Sequence, residues 1–370
     1  MATPPPPYTI LRGHGHEVSV VRFQPWAVEP MHLISGDVSG CCHFWNVLTR
    51  RSLVSFRACD EHQSVLEVCS PSPSAADTII TFVFITCRFP QKEKKKKFLT
   101  FIFSYRQAKE GTVRIWSLAE GAARVSEQWN TRAISLGHMA ACCNGERMRI
   151  ATPLENGSDV GVFDGTGKLC MTISPALTGA GAFGQKSGGM AMACSWLDNT
   201  EKLLVAYEDG TVRCYDTSGS STMPLFSRRT KAEPTESDTC TSLAIMPHLP
   251  SADGAPSGWR CVLGTAGPSV SVFDIDPGSS AITEIAECKL PRNGVNDVAV
   301  RRYDGKIFAS AGWDHRVRIF ALGCGTHSRV RPLAVLRFHS ESVTSVDFAP
   351  KDSILASGSR DTSIALWKLY

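Results

Sequence analysis

The sequence predicts an all-β protein, a propeller of seven four-stranded blades closed by its own N-terminal strand. Three observations predict it: a turn-and-strand pattern that returns seven times, a spacing near one blade per return, and a strand-like N-terminus matched by a strand missing at the other end. The pattern is clearest in Ser357-Gly358-Ser359-Arg360-Asp361-Thr362-Ser363-Ile364-Ala365-Leu366-Trp367 and in Ser310-Ala311-Gly312-Trp313-Asp314-His315-Arg316-Val317-Arg318-Ile319-Phe320. In both, small residues lead to an Asp, and an alternating strand closes on an aromatic six residues later.

This is the signature of a WD repeat, in which one unit of about 40–45 residues builds a four-stranded blade. The closing aromatics fall at Trp45, Trp116, Phe163, Tyr215, Phe273, Phe320 and Trp367, at intervals of 71, 47, 52, 58, 47 and 47 residues. Seven units lie within the range of about four to eight blades that closed propellers use. Tyr8 to Arg12, before the Gly13-His14 turn, reads as a strand, and the chain stops three residues after Trp367, which leaves the last blade one strand short. Pairing the first strand into the last blade latches the ring and removes an open edge.

Each position of the unit has a physical task. A turn Asp accepts backbone N–H groups, and a His from the start of the blade bonds to it. A Ser or Thr of the second strand and a Trp of the third complete the chain, because a buried indole N–H needs a partner. The last blade supplies all four as His339, Ser357, Asp361 and Trp367. Blade one offers His14 or His16, Ser35 and Trp45, with Ser39 where the Asp is expected. Blade four keeps Asp209 but ends on Tyr215; blade six keeps Ser310 and Asp314 but ends on Phe320 without a His. Blades three and five place Gly157 and Gly267 at the Asp position. The complete network is therefore expected in the last blade alone, and it sets geometry rather than performing chemistry.

One propeller accounts for residues 1–370, with one departure. The surplus in the first interval lies in Phe82 to Arg106, which holds six of the 17 Phe and the run Lys94 to Lys97. Removing these 25 residues leaves 46 between Trp45 and Trp116, and joins Thr81 to Gln107-Ala108-Lys109-Glu110-Gly111 with Glu110 at the Asp position. Phe and Lys are what T-rich and A-rich noncoding sequence encodes, so the segment reads as translated intron; the competing reading is a basic disordered surface loop.

Charge follows that choice. The chain carries 39 basic and 35 acidic residues, but without residues 82–106 the count is 32 against 34. No basic stripe with interleaved aromatics stands outside the segment, so direct nucleic-acid binding is not expected. The Pro-rich start lacks a signal-peptide core, and no run of 18 or more apolar residues suggests a membrane span. Fourteen scattered Cys without Cys-x-x-Cys spacing read as reduced thiols of a cytoplasmic or nuclear protein.

Catalytic signatures are weak. Gly165-Thr166-Gly167-Lys168 resembles the tail of a phosphate-binding loop, but Val162 stands where the first Gly is required, and a hairpin turn is the simpler reading. Neither a cofactor nor a small-molecule substrate is expected. What remains is a scaffold whose loops contact proteins. Trp313, with His315 and Arg316 beside it, is the leading contact candidate, because Phe320 already closes that strand. Glu208 and Arg360 occupy the corresponding turns of blades four and seven.

Ala311 to Phe320, Arg331-Pro332-Leu333-Ala334-Val335-Leu336-Arg337-Phe338-His339-Ser340, and the ending Leu366-Trp367-Lys368-Leu369-Tyr370 resemble the family of guanine nucleotide-binding protein β-subunit-like protein 1. Its fungal counterpart is the ASTRA-associated WD-repeat protein. Ala206-Tyr207-Glu208-Asp209-Gly210-Thr211-Val212 and Arg12-Gly13 extend the likeness, and residues 82–106 have no place in it. The resemblance implies a non-enzymatic adaptor associated with the co-chaperone machinery that matures phosphatidylinositol-3-kinase-related kinases, and with an ASTRA-type chromatin assembly. Other readings are a ubiquitin-ligase receptor, a chromatin reader, or a true G protein β subunit. The last needs an N-terminal coiled-coil helix of several heptads, where only seven residues, four of them Pro, precede the first strand.

Overall fold

The computed structural model describes residues 5–24, 31–59, 63–69, 78–85, 111–119, 122–133, 135, 137–144, 147–175, 189–197, 201–219, 221–229, 239–247, 258–276, 281–323 and 330–369. Among them every regular element is a strand, and the strands form seven four-stranded antiparallel sheets. Six blades run consecutively from the innermost strand to the outermost. The seventh takes Val343–Phe348, Ile354–Ser359 and Ile364–Lys368 from the end of the chain and Thr9–Leu11 from its start. Thr9 pairs with Leu366, Ile10 with Ala365 and Leu11 with Ile364, so the expected N-terminal latch is present.

The core lies between blades rather than inside one body. Seven apolar clusters form among the described residues, one at each junction between neighbouring blades. At the closing seam, Leu11, Val18, Val21 and Trp45 pack with Ile354, Ile364 and Leu366. Each blade is therefore buried on both faces, which is why its middle strands read as nearly continuous apolar runs.

Two bulges recur. In blades one to six the register between the third and outermost strands slips at the closing aromatic, as at Phe44/Trp45 and Ile319/Phe320. In every blade except the third, the innermost strand slips as well, as at Val65/Glu67 and Val295/Asp297. A bulge raises local twist and re-aims the side chain that follows it. Here the re-aimed residues include Glu67, Ser242, Asp297 and Ser345, all on innermost strands.

The degenerate blades are as regular as the others. Blades three and five each form a complete sheet, with Gly157 at φ 76° in a turn closed by Gly157 N–H to the Leu154 carbonyl. Gly165 to Lys168 forms a hairpin turn in which Asp164 Oδ1 accepts the Thr166 and Lys168 N–H groups at 2.9 and 3.0 Å. In blade two the second strand, Thr78–Ile85, runs past Thr81 into the segment that reads as translated intron, with Phe82 opposite Val113 and Val83 opposite Thr112. Backbone pairing on both sides, to Glu67 and Val65 as well, carries the strand two residues past Thr81, and pairing of Phe84 and Ile85 with Ser64 and Gln63 adds two more. Glu110 lies outside the described residues.

Candidate functional site

The turns between second and third strands share one face of the ring, and their geometry starts with the structural network. In blade seven, His339 Nδ1 lies 2.9 Å from Asp361 Oδ2, His339 Nε2 lies 2.9 Å from Ser357 Oγ, and Trp367 Nε1–H donates to Ser357 Oγ at 2.9 Å. With a neutral imidazole the bonds run one way, indole to hydroxyl to imidazole to carboxylate. Burial raises the Asp361 pKa, but bonds from His339 and Ser363 outweigh it and hold the carboxyl well below its usual range.

Blade one carries the same network, which corrects the sequence expectation. Asp37 supplies the carboxylate, two residues ahead of Ser39: His14 Nδ1 lies 2.9 Å from Asp37 Oδ2 and His14 Nε2 2.7 Å from Ser35 Oγ. Trp45 Nε1–H donates to Ser35 Oγ at 2.8 Å. Ser39 N–H and Cys41 N–H both donate to Asp37 Oδ1, so the turn closes around the earlier Asp. Counting back six residues from the aromatic misses this, because the carboxylate enters from the end of the second strand. The two complete networks flank the closing seam.

A second device replaces the His where it is missing. Arg318, four residues after Asp314 on the adjoining strand, donates from Nη1 and Nη2 to the two Asp314 oxygens at 2.9 and 2.5 Å. Burial raises the Asp314 pKa, but the Arg318 guanidinium more than offsets it, so the carboxyl lies below its usual value. Ser310, with neither His nor Trp to engage, leaves its buried hydroxyl without a partner among the described residues. The sequence repeats this acid-then-Arg spacing at Asp209 and Arg213 and at Glu110 and Arg114. That spacing was the available signal.

The contact candidates occupy different positions. Trp313 is half-buried, its Nε1–H donating to Asn296 Oδ1 at 2.6 Å. The indole covers Gly294, where a Cβ would stand 1.8 Å from Trp313 Cδ2; with φ at 94°, the position requires Gly. His315 and Arg316 are half-buried on the same turn, and Arg360 is exposed with Nε 3.7 Å from a Glu17 oxygen. Glu208 lies apart from these on blade four, where its Oε2 accepts the Met190 N–H at 3.2 Å.

The central bore holds a charged network that sequence reasoning missed. Arg22, on the innermost strand of blade one, donates Nη1–H to Asp297 Oδ2 and to Ser345 Oγ at 2.8 Å each. Its Nε and Nη2 meet Glu67 Oε1 and Oε2 at 2.9 and 3.1 Å. His138 Nδ1 lies 2.8 Å from Glu67 Oε2, while the His138 backbone bonds to Met192 and Cys194 of blade four. Ser242 donates to Asp297 Oδ1 at 2.8 Å. The network thus touches all seven blades. Burial alone would lower the Arg22 pKa, and Asp297, Glu67 and Asp347 reverse that and raise it. Burial also lowers His138, but its bond to Glu67 wins and raises it. Asp347, whose Oδ2 accepts the Phe23 N–H at 2.7 Å, is pushed up to about 6 by burial. The signal was a polar residue within an apolar innermost strand, as in Val65-Leu66-Glu67-Val68 and Val295-Asn296-Asp297-Val298.

The family model for the "WD domain, G-beta repeat" matches residues 284–320 and 330–368. Both matches start in the outermost strand of one blade and end at the closing aromatic of the next, the first on Phe320 and the second one residue past Trp367. The chain is a seven-bladed propeller that carries WD repeats. That one-strand offset between repeat and blade is what leaves the last blade to be completed by Thr9–Leu11.

This WD-repeat chain is similar over its length to guanine nucleotide-binding protein subunit beta-like protein 1 of Mus musculus, at 26% identity over 377 residues, covering 99% of this chain and 97% of that one. ASTRA-associated protein 1 of Aspergillus niger is 24% identical over 386 residues, covering 94% and 82%. Its Schizosaccharomyces pombe namesake is 48% identical over 69 residues, a stretch that spans 19% of this chain and 17% of that protein. WD-repeat propellers are generally non-enzymatic scaffolds. Among the described residues no group of three or more His, Cys, Asp and Glu could hold a metal ion, and no helix is long and apolar enough to cross a membrane.

Proposed function

We propose that this WD-repeat propeller is a non-enzymatic adaptor that binds protein partners through its faces. The observation that carries the reading is the filled bore. The axis of a propeller is where its strands converge, and here Arg22, Glu67, His138 and Asp297 occupy it with mutual ion pairs and hydrogen bonds. Arg22 and His138 donate to carboxylates of other blades, so the set braces the ring. Function then falls to the surface.

Relatives named for association with ASTRA support placing the chain in an assembly of that type. The family resemblance extends the reading to co-chaperone-dependent maturation of phosphatidylinositol-3-kinase-related kinases, with the protein acting in cytoplasm and nucleus. Purification of the tagged chain, with and without residues 82–106, followed by mass spectrometry tests it. The expected result is recovery of the kinase co-chaperone and its large clients. Recovery of G protein γ and α subunits, or of a ubiquitin-ligase core, would overturn the reading.

A further inference from the structure

Beside Trp313, the turn face carries guanidinium groups in excess of their partners. Arg316 opens the third strand of blade six and stands directly opposite Arg337 at the end of the outermost strand. Like charges placed directly opposite on neighbouring strands repel. Arg292 is exposed two residues before the glycine that Trp313 covers, and Arg360 is exposed on the corresponding turn of blade seven.

The acids nearby do not balance this set. Asp314 is engaged by Arg318 and Asp361 by His339. Glu17 reaches Arg360 only at 3.7 Å, and Glu341 is exposed. Elsewhere on the face Arg132 meets Glu155 at 3.9 Å, Arg57 of blade one donates to the Ser39 carbonyl, and the blade-four turn presents Glu208 and Asp209. Four guanidinium groups of this face, those of Arg292, Arg316, Arg337 and Arg360, thus gather at blades six and seven.

The indole is also held in place. Asn296, which accepts from Trp313 Nε1–H, donates through Nδ2 to Ser342 Oγ at 3.0 Å and to the Val343 carbonyl at 2.6 Å in blade seven. A Trp fixed across two blades, with Arg316 on the same turn, is the composition that interface hot spots favour, and fixing it beforehand lowers the entropy lost on binding.

We infer that the sector around Trp313, Arg316 and Arg337 docks an acidic segment of a protein partner. An apolar side chain of that segment lies against the Trp313 indole, and its carboxylates sit between Arg316 and Arg337, relieving their repulsion. Nucleic acid fits less well, because a phosphate backbone needs a longer cationic track, and Glu17 and Glu341 interrupt this one. The inference rests on the adaptor reading and names the surface and the chemistry of the partner.

The test places a photoreactive residue at Arg337 in the full chain, with a control at Glu155, and sequences what is cross-linked in cells. The expected product is a protein segment of net negative charge, captured from Arg337 and not from Glu155. Capture of nucleic acid, or of a neutral or basic segment, overturns the inference. If partners co-purify but cross-link only through Glu155, the adaptor reading stands and the acidic docking falls; if no protein co-purifies with the unmodified chain, the adaptor reading falls first. In parallel, Arg316→Glu with Arg337→Glu is expected to cut partner recovery at least tenfold, while Arg316→Lys with Arg337→Lys keeps most of it. Equal recovery by the charge-reversed and unmodified chains overturns the inference.

Discussion

Asp37 and Ser39 differ sharply in what they support. Asp37 accepts from His14, from two backbone N–H groups and from the Ser39 hydroxyl, whereas the Ser39 side chain only donates to Asp37. Asp37→Ala is expected to cost about 3 kcal/mol by stranding buried donors, and Ser39→Ala about 1 kcal/mol or less. Urea denaturation of the two variants measures both, and a larger loss for Ser39→Ala would refute the assignment. Burial raises the Asp37 pKa, but those bonds outweigh it and bring the value down to about 2. Its stabilising effect is therefore present above pH 4 and lost as pH falls toward 2, a dependence the Ala variant lacks. The residue six before the closing aromatic, Ser39 in blade one and an Asp in blades four, six and seven, is followed by one in the left-handed conformation: Gly40 and Gly210 at φ 85° and 77°, His315 and Thr362 at 66° and 68°. A β-branched side chain is strained there, so Thr362→Gly is expected to raise stability by about 0.5–1 kcal/mol, net of the backbone entropy a new Gly carries. An unchanged or lower denaturation midpoint would argue against strain. At this scale the sequence revealed His339, Ser357, Asp361 and Trp367 because their spacing is rigid. It hid Asp37 because the same carboxylate position can be filled from either side of the turn.

At the scale of the strand, period-two patterning made the second and third strands legible, since each ends on a fixed turn and a fixed aromatic. The innermost strands were harder, because their bulges break the alternation and turn Glu67, Asp297 and Ser345 toward the axis. The degenerate blades show the same lesson in reverse: Gly157 and Gly267 replace the turn acid, yet packing between blades holds both sheets together. The second strand of blade two poses the sharpest question. Phe82 and Val83 pair on both sides and Phe84 and Ile85 on one, but the hydroxyl of the preceding Thr81 already accepts the Trp116 indole N–H at 3.0 Å, as Ser35 and Ser357 do for their tryptophans. A chain joining Thr81 to Gln107 keeps that bond and restores the normal spacing. Deleting residues 82–106 is therefore expected to raise the melting temperature. An equal or lower value would show that the longer strand belongs to the native blade.

At the scale of the whole ring, closure depends on the latch strand and on the bore. Arg22 is the hub, with its side chain 22% exposed and Glu67 and Asp297 at 5% and 3%. Arg22→Ala leaves two buried carboxylates without their cation and is expected to cost about 3–5 kcal/mol; a loss below about 1 kcal/mol in chemical denaturation would remove the bore from the account of stability. Asp347 gives the bore a pH signature. Its native pKa near 6 exceeds the unfolded value, so the native state binds its proton first, and stability gains from this group as pH falls from about 6 to about 4. Asp347→Asn is accordingly expected to gain most over the unaltered chain at pH 8, with the difference shrinking toward pH 4; a difference independent of pH would contradict the assignment. The whole-ring architecture was readable because seven aromatics mark it, and the bore was not, because its members come from strands far apart in the chain. With the axis filled and the faces left for contact, the central claim is that this propeller works as part of a larger assembly. Size-exclusion chromatography of the chain at its native level in cell extract tests that most directly. Elution in a large complex with protein partners is the predicted result, and elution as the free chain would contradict it.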